Sequence, residues 1–207
     1  NDASEVADSY GTTTNIAIGF TAFDGTEVDG SYDISVNQLA LEQIMISDEY
    51  SASDYAIDTG SFDISITVGS SSTTTTAITV STPTPAGVVD AINDADMGVT
   101  ATLVDTGIDG TNYRIILTGE PGSEAVFTMS SDPDLGFSDA GNTLQDAQDA
   151  EIEFDGLTIT RDSNQFSDIV TGATLTLYDT TDSAATVAIY SDTSTLKTKL
   201  EDIVTVY

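Results

Sequence analysis

Two runs of alternating apolar and polar residues, joined by a two-residue turn, stand out between Ala150 and Leu177. The first run covers residues 150–154, the second covers residues 157–161, and Asp155-Gly156 lies between them. Strict alternation is typical of a strand with one buried face, and an Asp-Gly pair favours the positive φ angles of a tight hairpin turn. The pattern therefore predicts a β-hairpin that acts as a folding core.

The residues after the hairpin predict a short helical step and a further strand. Ser163-Asn164 is typical of a helix start, and the apolar residues at 166 and 169–170 would share one side of a helical turn. Gly172 would end that turn. Apolar and polar residues alternate again over residues 173–177, which predicts a strand.

This block resembles the flagellar hook-associated protein 2 family, whose members are filament-cap proteins. The resemblance rests on a DGL-x-[IV]-x-R turn followed by SN-x(3)-D-[IV]-x-x-G-[AV]-T-L-x-L. Residues 32–40 are similar to the family's entry strand, and residues 192–204 are similar to the start of its returning helix. The matching residues of the block are Asp155, Gly156, Leu157, Ile159, Arg161, Ser163, Asn164, Asp168, Ile169, Gly172, Thr174, Leu175 and Leu177.

The charge of the chain excludes two kinds of partner. Its 207 residues include 35 Asp or Glu and 4 Lys or Arg, which gives a formal net charge of −31. A surface of that sign repels nucleic acid and anionic lipid, so neither is expected to bind. Because the sequence contains no apolar run long enough to span a bilayer, membrane insertion is not expected either.

The residue types also argue against an enzyme. The chain has no His and no Cys, so the commonest general base and the thiolate metal ligands are absent. Close carboxylate pairs such as Glu151 and Glu153 are expected by chance in so acidic a chain, and they do not predict glycoside chemistry. No catalytic residue and no cofactor are predicted. Eight tyrosines suit strand packing and leave open a tyrosine-rich contact face.

Two acidic loops, residues 105–112 and 132–139, are weakly similar to calcium loops. The second has Thr143 where an EF-hand needs its bidentate glutamate. No metal site is therefore predicted, and weak surface binding of calcium stays open.

The other elements are predicted from periodicity and turn residues. Thr84-Pro85 offers an N-cap and a first-turn proline for a helix that runs up to Gly98. Residues 38–43 fit either a bent strand or a helical turn, and the Ser/Thr-rich residues 69–76 are expected to form a mobile loop. Strands are predicted near residues 16–20, 32–36, 62–68, 77–80, 99–103, 113–117 and, at an edge, 125–129.

These elements predict a mainly β protein with two antiparallel β-rich domains. A shift to Ser, Asp and Tyr over residues 48–60 indicates a crossing between the domains. The family resemblance implies that residues 32–47 pair with the region 150–190, which would make one domain an insertion in the other. The predicted domains are an inner β-domain of residues 1–56 and 145–192, an inserted outer β-domain with one helix at 57–144, and the start of a helical leg at 193–207.

The last segment predicts an amphipathic helix whose apolar stripe has no partner in this sequence. An isolated helix of ~12–15 residues is marginal in water. The stripe is therefore expected to pack on coiled-coil helices before Asn1 and after Tyr207, and the chain is interpreted as the middle piece of a longer protein. The stripe consists of Leu196, Leu200, Ile203, Val204 and Tyr207.

The family resemblance implies a non-enzymatic assembly protein of the bacterial flagellum. Such a protein is exported by the flagellar secretion apparatus and caps the extracellular filament tip, where it promotes flagellin insertion and polymerisation. The implied partners are flagellin subunits, further copies of the chain in a homo-oligomeric ring, and proteins of the hook–filament junction. The alternative is an acidic β-domain of a bacterial surface adhesin, stiffened by calcium, for which flanking β-domains would be expected instead of helices.

Overall fold

A computed structural model describes residues 8–23, 30–107 and 112–192. The predicted fold class is confirmed, because the described residues form antiparallel strands, one α-helix and a 3-10 helix at Ser123–Ala125. The predicted helix at 193–207 lies outside the described residues. The elements in chain order are β1 (Asp8–Thr13), β2 (Ile18–Phe23), β3 (Gly30–Gln38), β4 (Glu42–Ile46), β5 (Phe62–Val68), β6 (Thr74–Val80), α1 (Pro85–Asp94), β7 (Thr100–Asp105), β8 (Tyr113–Pro121), β9 (Phe127–Ser131), β10 (Thr143–Gln145), β11 (Ala150–Phe154), β12 (Leu157–Arg161), β13 (Gln165–Val170), β14 (Ala173–Leu177) and β15 (Ala185–Asp192).

The chain divides into two compact units, one of Asn1–Leu39 with Ala150–Tyr207 and the other of Ala40–Asp149. The sequence placed the boundaries after residue 56 and before residue 145, whereas the structure places them after Leu39 and before Ala150. The difference arises because β4 and β10 hydrogen-bond within the second unit, where β4 lies between β10 and β8.

The first unit contains two antiparallel sheets. The larger has the strand order β1-β15-β3-β11-β12, and the smaller has the order β13-β14-β2. Strand β3 therefore pairs with β11 on one side and with β15 on the other, which confirms the expected pairing of residues 32–37 with the region 150–190. Ile34, Ile152 and Leu175 are fully buried, as expected for the inward positions of alternating strands.

The second unit contains a sheet with the strand order β10-β4-β8-β7 and a sheet with the order β6-β5-β9. The apolar face of α1 packs on β6, β7 and β8. One hydrophobic core joins the sheets and the helix, and its fully buried members include Val88 and Ile92 of α1, Ile64 of β5 and Leu117 of β8. Among the described residues, no helix has the length and apolarity that a bilayer span requires.

The predicted helical turn after the hairpin is wrong, because residues 165–170 form β13. Phe166 pairs with Leu175 and Val170 pairs with Ala173. Between these two pairs the chain moves four positions along β13 but only two along β14. This irregularity is a bulge. Phe166 and Val170 are both buried, and their spacing of four residues is also the spacing of a helical face.

Two other expectations are settled by the structure. Residues 38–43 contain no helical turn, since β3 ends at Gln38 and β4 starts at Glu42. The Ser/Thr-rich segment is a shorter loop than expected, because Thr74, Thr75 and Thr76 already pair with β5. The strand expected at residues 16–20 starts at Ile18, and Ile16 is 94% exposed.

Helix α1 begins as its sequence predicts. The Thr84 hydroxyl accepts a hydrogen bond from the Gly87 amide at 3.1 Å, and Pro85 occupies the first helical turn. An N-cap oxygen satisfies one of the amides that the first turn leaves without a partner.

We expect Thr84→Ala to lower the free energy of unfolding of the second unit by about 1 kcal/mol, the usual contribution of such a cap. Urea unfolding followed by circular dichroism measures this difference. Thr84→Ser keeps the accepting oxygen and should behave like the unaltered chain. Equal stability of all three proteins would show that the cap contributes nothing.

Candidate functional site in the family-motif hairpins

The motif begins with the turn between β11 and β12. Asp155 and Gly156 have φ angles of 48° and 83°, so the predicted hairpin turn with two positive φ angles is confirmed. Asp155 also attaches the turn to β3, since its carboxylate accepts a hydrogen bond from the Asp33 amide at 2.8 Å and its own amide donates to the Asp33 carbonyl at 2.9 Å. The Asp155 side chain is therefore a structural link between two strands.

Arg161 connects the end of β12 to β13. Its Nη2 and Nε lie 2.7 and 3.2 Å from the same carboxylate oxygen of Asp168. Its Nη1 donates to the Thr160 carbonyl at 2.7 Å. Because β12 and β13 are edge strands of different sheets in the first unit, this ion pair spans the connection between the sheets.

The Arg161 guanidinium holds the pKa of the Asp168 carboxyl below its usual value, chiefly by hydrogen bonding. A carboxyl whose pKa is lower in the folded state stabilises the fold above its ordinary pKa, and that stabilisation is lost as the pH falls through the lowered value. The pair is exposed, with side-chain accessibilities of 39% and 57%, so its contribution is screened by solvent.

We expect Arg161→Gln to raise the pKa of Asp168 back towards the ordinary carboxyl range. An NMR titration that follows the side-chain carboxyl carbons measures this shift. The pKa of Glu124 provides an internal control, because hydrogen bonds from Ser71 and Ser70 lower it independently of Arg161. An unchanged Asp168 titration in Arg161→Gln would show that the pair does not form in solution.

The remaining motif residues shape the connection and the core. The Ser163 hydroxyl accepts from the Gln165 amide at 3.1 Å, and the Asn164 carbonyl accepts from the Leu177 amide at 2.8 Å. Gly172 has a φ of 78° in the turn between β13 and β14. The others differ in exposure: Leu175 is fully buried, Thr174 is half-buried and Leu157 is 67% exposed.

The motif therefore gathers into two joined hairpins whose polar side chains bond to the backbone or to each other. This is the pattern of a scaffold, because the hydrogen bonds of Asp155, Asp168 and Ser163 join strands and turns to one another. The predicted stripe of Leu196, Leu200, Ile203, Val204 and Tyr207 lies outside the described residues.

The acidic loops that are similar to calcium loops form ordinary turns where they are described. The Asp134 carboxylate accepts from the Gly136 amide at 2.9 Å, and the Asp105 carboxylate accepts from the Gly107 amide at 2.8 Å. Within residues 8–23, 30–107 and 112–192, no three carboxylates are grouped in a way that could hold a metal ion.

Sequence reasoning missed the long-range polar contacts that hold the motif. The Asp33 amide bonds to a residue 122 positions away, and the Val36 amide bonds to the Thr181 hydroxyl 145 positions away at 2.9 Å. A polar side chain in a strand has no local signature for such a partner. The Asp155-Gly156 pair predicted the backbone conformation of the turn. It did not predict that the Asp155 side chain bonds to β3.

A family profile described as the flagellar hook-associated protein 2 C-terminus matches residues 147–207. Flagellar hook-associated protein 2 of Salmonella typhimurium is 31% identical over 130 residues, which cover 57% of this chain and 27% of that protein. The crystal structure of the D1-D2-D3 domains of the flagellar cap protein FliD from Escherichia coli superposes with a TM-score of 0.80. That match has 27% identity and covers 97% of this chain and 64% of the other. The resemblance to flagellar hook-associated protein 2 is confirmed.

The match to flagellar hook-associated protein 2 includes both β-rich units. The crystal structure of the D2-D3 domains of FliD from Escherichia coli covers 90% of this chain and 100% of that structure, with a TM-score of 0.78 and 26% identity. The chain spans between 9% and 27% of the length of the curated flagellar hook-associated protein 2 sequences that it matches. These relatives support a structural role in the flagellum.

Proposed function

We propose that this chain is the head of a flagellar filament cap, a structural protein at the filament tip that promotes flagellin insertion and polymerisation. The observation that carries the proposal is the agreement of 97% of the chain with a flagellar cap protein at a TM-score of 0.80. The profile match over residues 147–207 supports it independently, because it includes the motif hairpins.

The composition and the geometry of the motif also support a structural role. The chain has no His and no Cys, and the polar motif residues are used in turns and strand links, such as Asp155 with Asp33. The absence of Cys means that the fold does not depend on disulfides. We therefore propose that the chain is not an enzyme.

We propose flagellin and further copies of this chain as the partners, with hook–filament junction proteins as additional ones. A ring of copies that each carry a net charge of −31 concentrates like charge, and exposed charges are screened only over a Debye length of about 8 Å at physiological salt. Apolar contacts between the copies must offset that repulsion. We propose that the predicted apolar stripe, which begins at Leu196, makes these contacts.

We further propose that the unit of Ala40–Asp149 is the inserted outer β-domain, predicted at 57–144, and that the other unit is the inner β-domain, predicted at 1–56 and 145–192, with the boundaries after Leu39 and before Ala150. Residues 193–207 would then begin the helical leg that places the head on the filament. The proposed location is the extracellular tip, reached through the flagellar secretion apparatus.

Immunogold electron microscopy of intact cells, with antibody fragments raised against residues 40–149, tests this location. The expected result is label at the distal ends of the filaments, and a strain that lacks the gene is the control for background. Label spread over the cell body would instead identify a surface adhesin and overturn the proposal.

A further inference from the structure

A groove of about 360 Å³ on the second unit combines aromatic and acidic side chains. The groove lies where the chain leaves β4 and passes close to the loop after β9. Its apolar walls are Tyr50, Tyr55, Ile57 and Pro133, and its acidic residues are Asp48, Glu49 and Asp134.

Tyr50 is fixed in the floor of this groove. Its amide donates to the Tyr113 carbonyl at 2.8 Å, and its carbonyl accepts from the Tyr113 amide at 2.9 Å, so the backbone is attached to the first residue of β8. Tyr50 is only 7% exposed, and it forms part of the groove wall. A phenol combines an apolar ring with a hydroxyl that can donate and accept hydrogen bonds, so Tyr50 offers the groove both an apolar surface and a polar atom.

The carboxylate-bearing residues Asp48 and Asp134 line the same groove as Tyr50. Burial of the ring, and then the charges of Asp48 and Asp134, raise the pKa of Tyr50 to about 12. The Asp48 amide donates to the Leu135 carbonyl at 2.9 Å, which holds the two acidic residues together. A Cβ at Gly136 would lie 2.4–2.8 Å from the Asp48 carboxylate, so the glycine makes room for that group.

The third acidic residue of the groove is already neutralised. Glu49 forms an ion pair of 2.7 Å with Arg114, which also donates to the Ser47 carbonyl at 2.9 Å. The groove therefore presents the negative charge of Asp48 and Asp134 to an external group.

The aromatic walls favour an organic cation over a metal ion. The Tyr50 and Tyr55 rings have centroids 5.9 Å apart at an angle of 41°, and Tyr55 is 48% exposed. Such rings attract cations at their faces, and a planar guanidinium can stack on a ring while it donates hydrogen bonds to carboxylates. No three carboxylates within the described residues are placed to hold a metal ion.

We propose that this groove binds an arginine side chain on an exposed segment of a partner protein. The arginine would donate to the Tyr50 hydroxyl and to the Asp134 carboxylate while its plane lies against Tyr55. The two arginines of this chain, Arg114 and Arg161, are already held by Glu49 and Asp168. An arginine from outside these 207 residues is therefore the proposed occupant, and the site does not depend on the filament-cap function.

NMR amide spectra of the 207-residue chain, titrated with acetyl-Gly-Arg-Gly-amide at constant ionic strength, test this site. The expected shifts are confined to residues 48–57 and 133–136, and the neutral citrulline peptide should bind at least about tenfold more weakly. Tyr50→Phe and Asp134→Asn should each weaken arginine binding by about tenfold, the loss expected for one hydrogen bond to a charged group. Asp94→Asn makes the same charge change on an exposed residue of α1 and should leave binding unchanged.

Three results would overturn the proposal: equal binding of the citrulline peptide, shifts spread over the acidic surface, or equal weakening by Asp94→Asn and Asp134→Asn. Asparagine at 134 can still accept the Gly136 amide, so Asp134→Asn is the deciding variant should Tyr50→Phe not fold. Filament-tip labelling of Asp134→Asn separates the two proposals, because the cap function predicts unchanged labelling whatever the peptide result.

Discussion

Phe166→Ala is expected to lower the free energy of unfolding of the first unit by about 3–5 kcal/mol, the usual effect of removing a buried phenylalanine ring. Phe166 is 2% exposed and is the cross-strand partner of Leu175, which is fully buried. Because Phe166 and Leu175 are both almost fully buried, little movement of the backbone can refill the space that the ring leaves. For a unit of this size the melting temperature should fall by at least about 12 °C.

Hydrogen exchange resolved by mass spectrometry shows which unit loses stability in Phe166→Ala. Peptides from residues 150–192 should exchange faster in Phe166→Ala, whereas peptides from residues 62–105 should keep their protection, because the core of the second unit contains only residues of that unit. The matched variant is Phe127→Ala in the second unit, where Phe127 is 1% exposed, and it should give the mirror image. Equal loss of protection in both units from either variant would contradict the division of the chain into two cores.

Features that depend on neighbouring residues could be predicted from the sequence. The turn at Asp155-Gly156 and the cap at Thr84 each require a few adjacent side chains with a known backbone preference, and both are present in the structure. The strands β5 and β11 alternate strictly, so their buried faces were evident from periodicity. The motif in the hairpins was enough to indicate the family.

Features that depend on distant residues could not be predicted. The bulge arises because β13 has more residues than β14 between two paired positions. It separates the buried residues Phe166 and Val170 by four positions, which is also the spacing of a helical face. The link from Asp155 to Asp33 spans 122 positions, and the groove at Tyr50 combines residues near 50 with residues near 134. The eight tyrosines suggested a contact face. The fold shows that Tyr50 and Tyr55 line a groove together with acidic residues.

Loss of the gene that encodes this chain is expected to abolish filaments while export of flagellin continues. A subunit that leaves an open channel is diluted in the medium unless a protein at the tip retains it and positions it for addition. The β-rich head is proposed to provide that tip structure, so its absence removes polymerisation and leaves secretion intact. The expected cell has hooks without filaments and soluble flagellin in the medium.

The fraction of extracellular flagellin that is polymerised tests the filament-cap function most directly. It is measured by sedimenting filaments from sheared culture supernatants and comparing the pellet with the soluble protein in the parent, the deletion strain and the deletion strain complemented with the intact gene. We predict that nearly all flagellin is soluble in the deletion strain and that complementation returns it to the pellet. Filaments of ordinary amount and length in the deletion strain would contradict the proposed function.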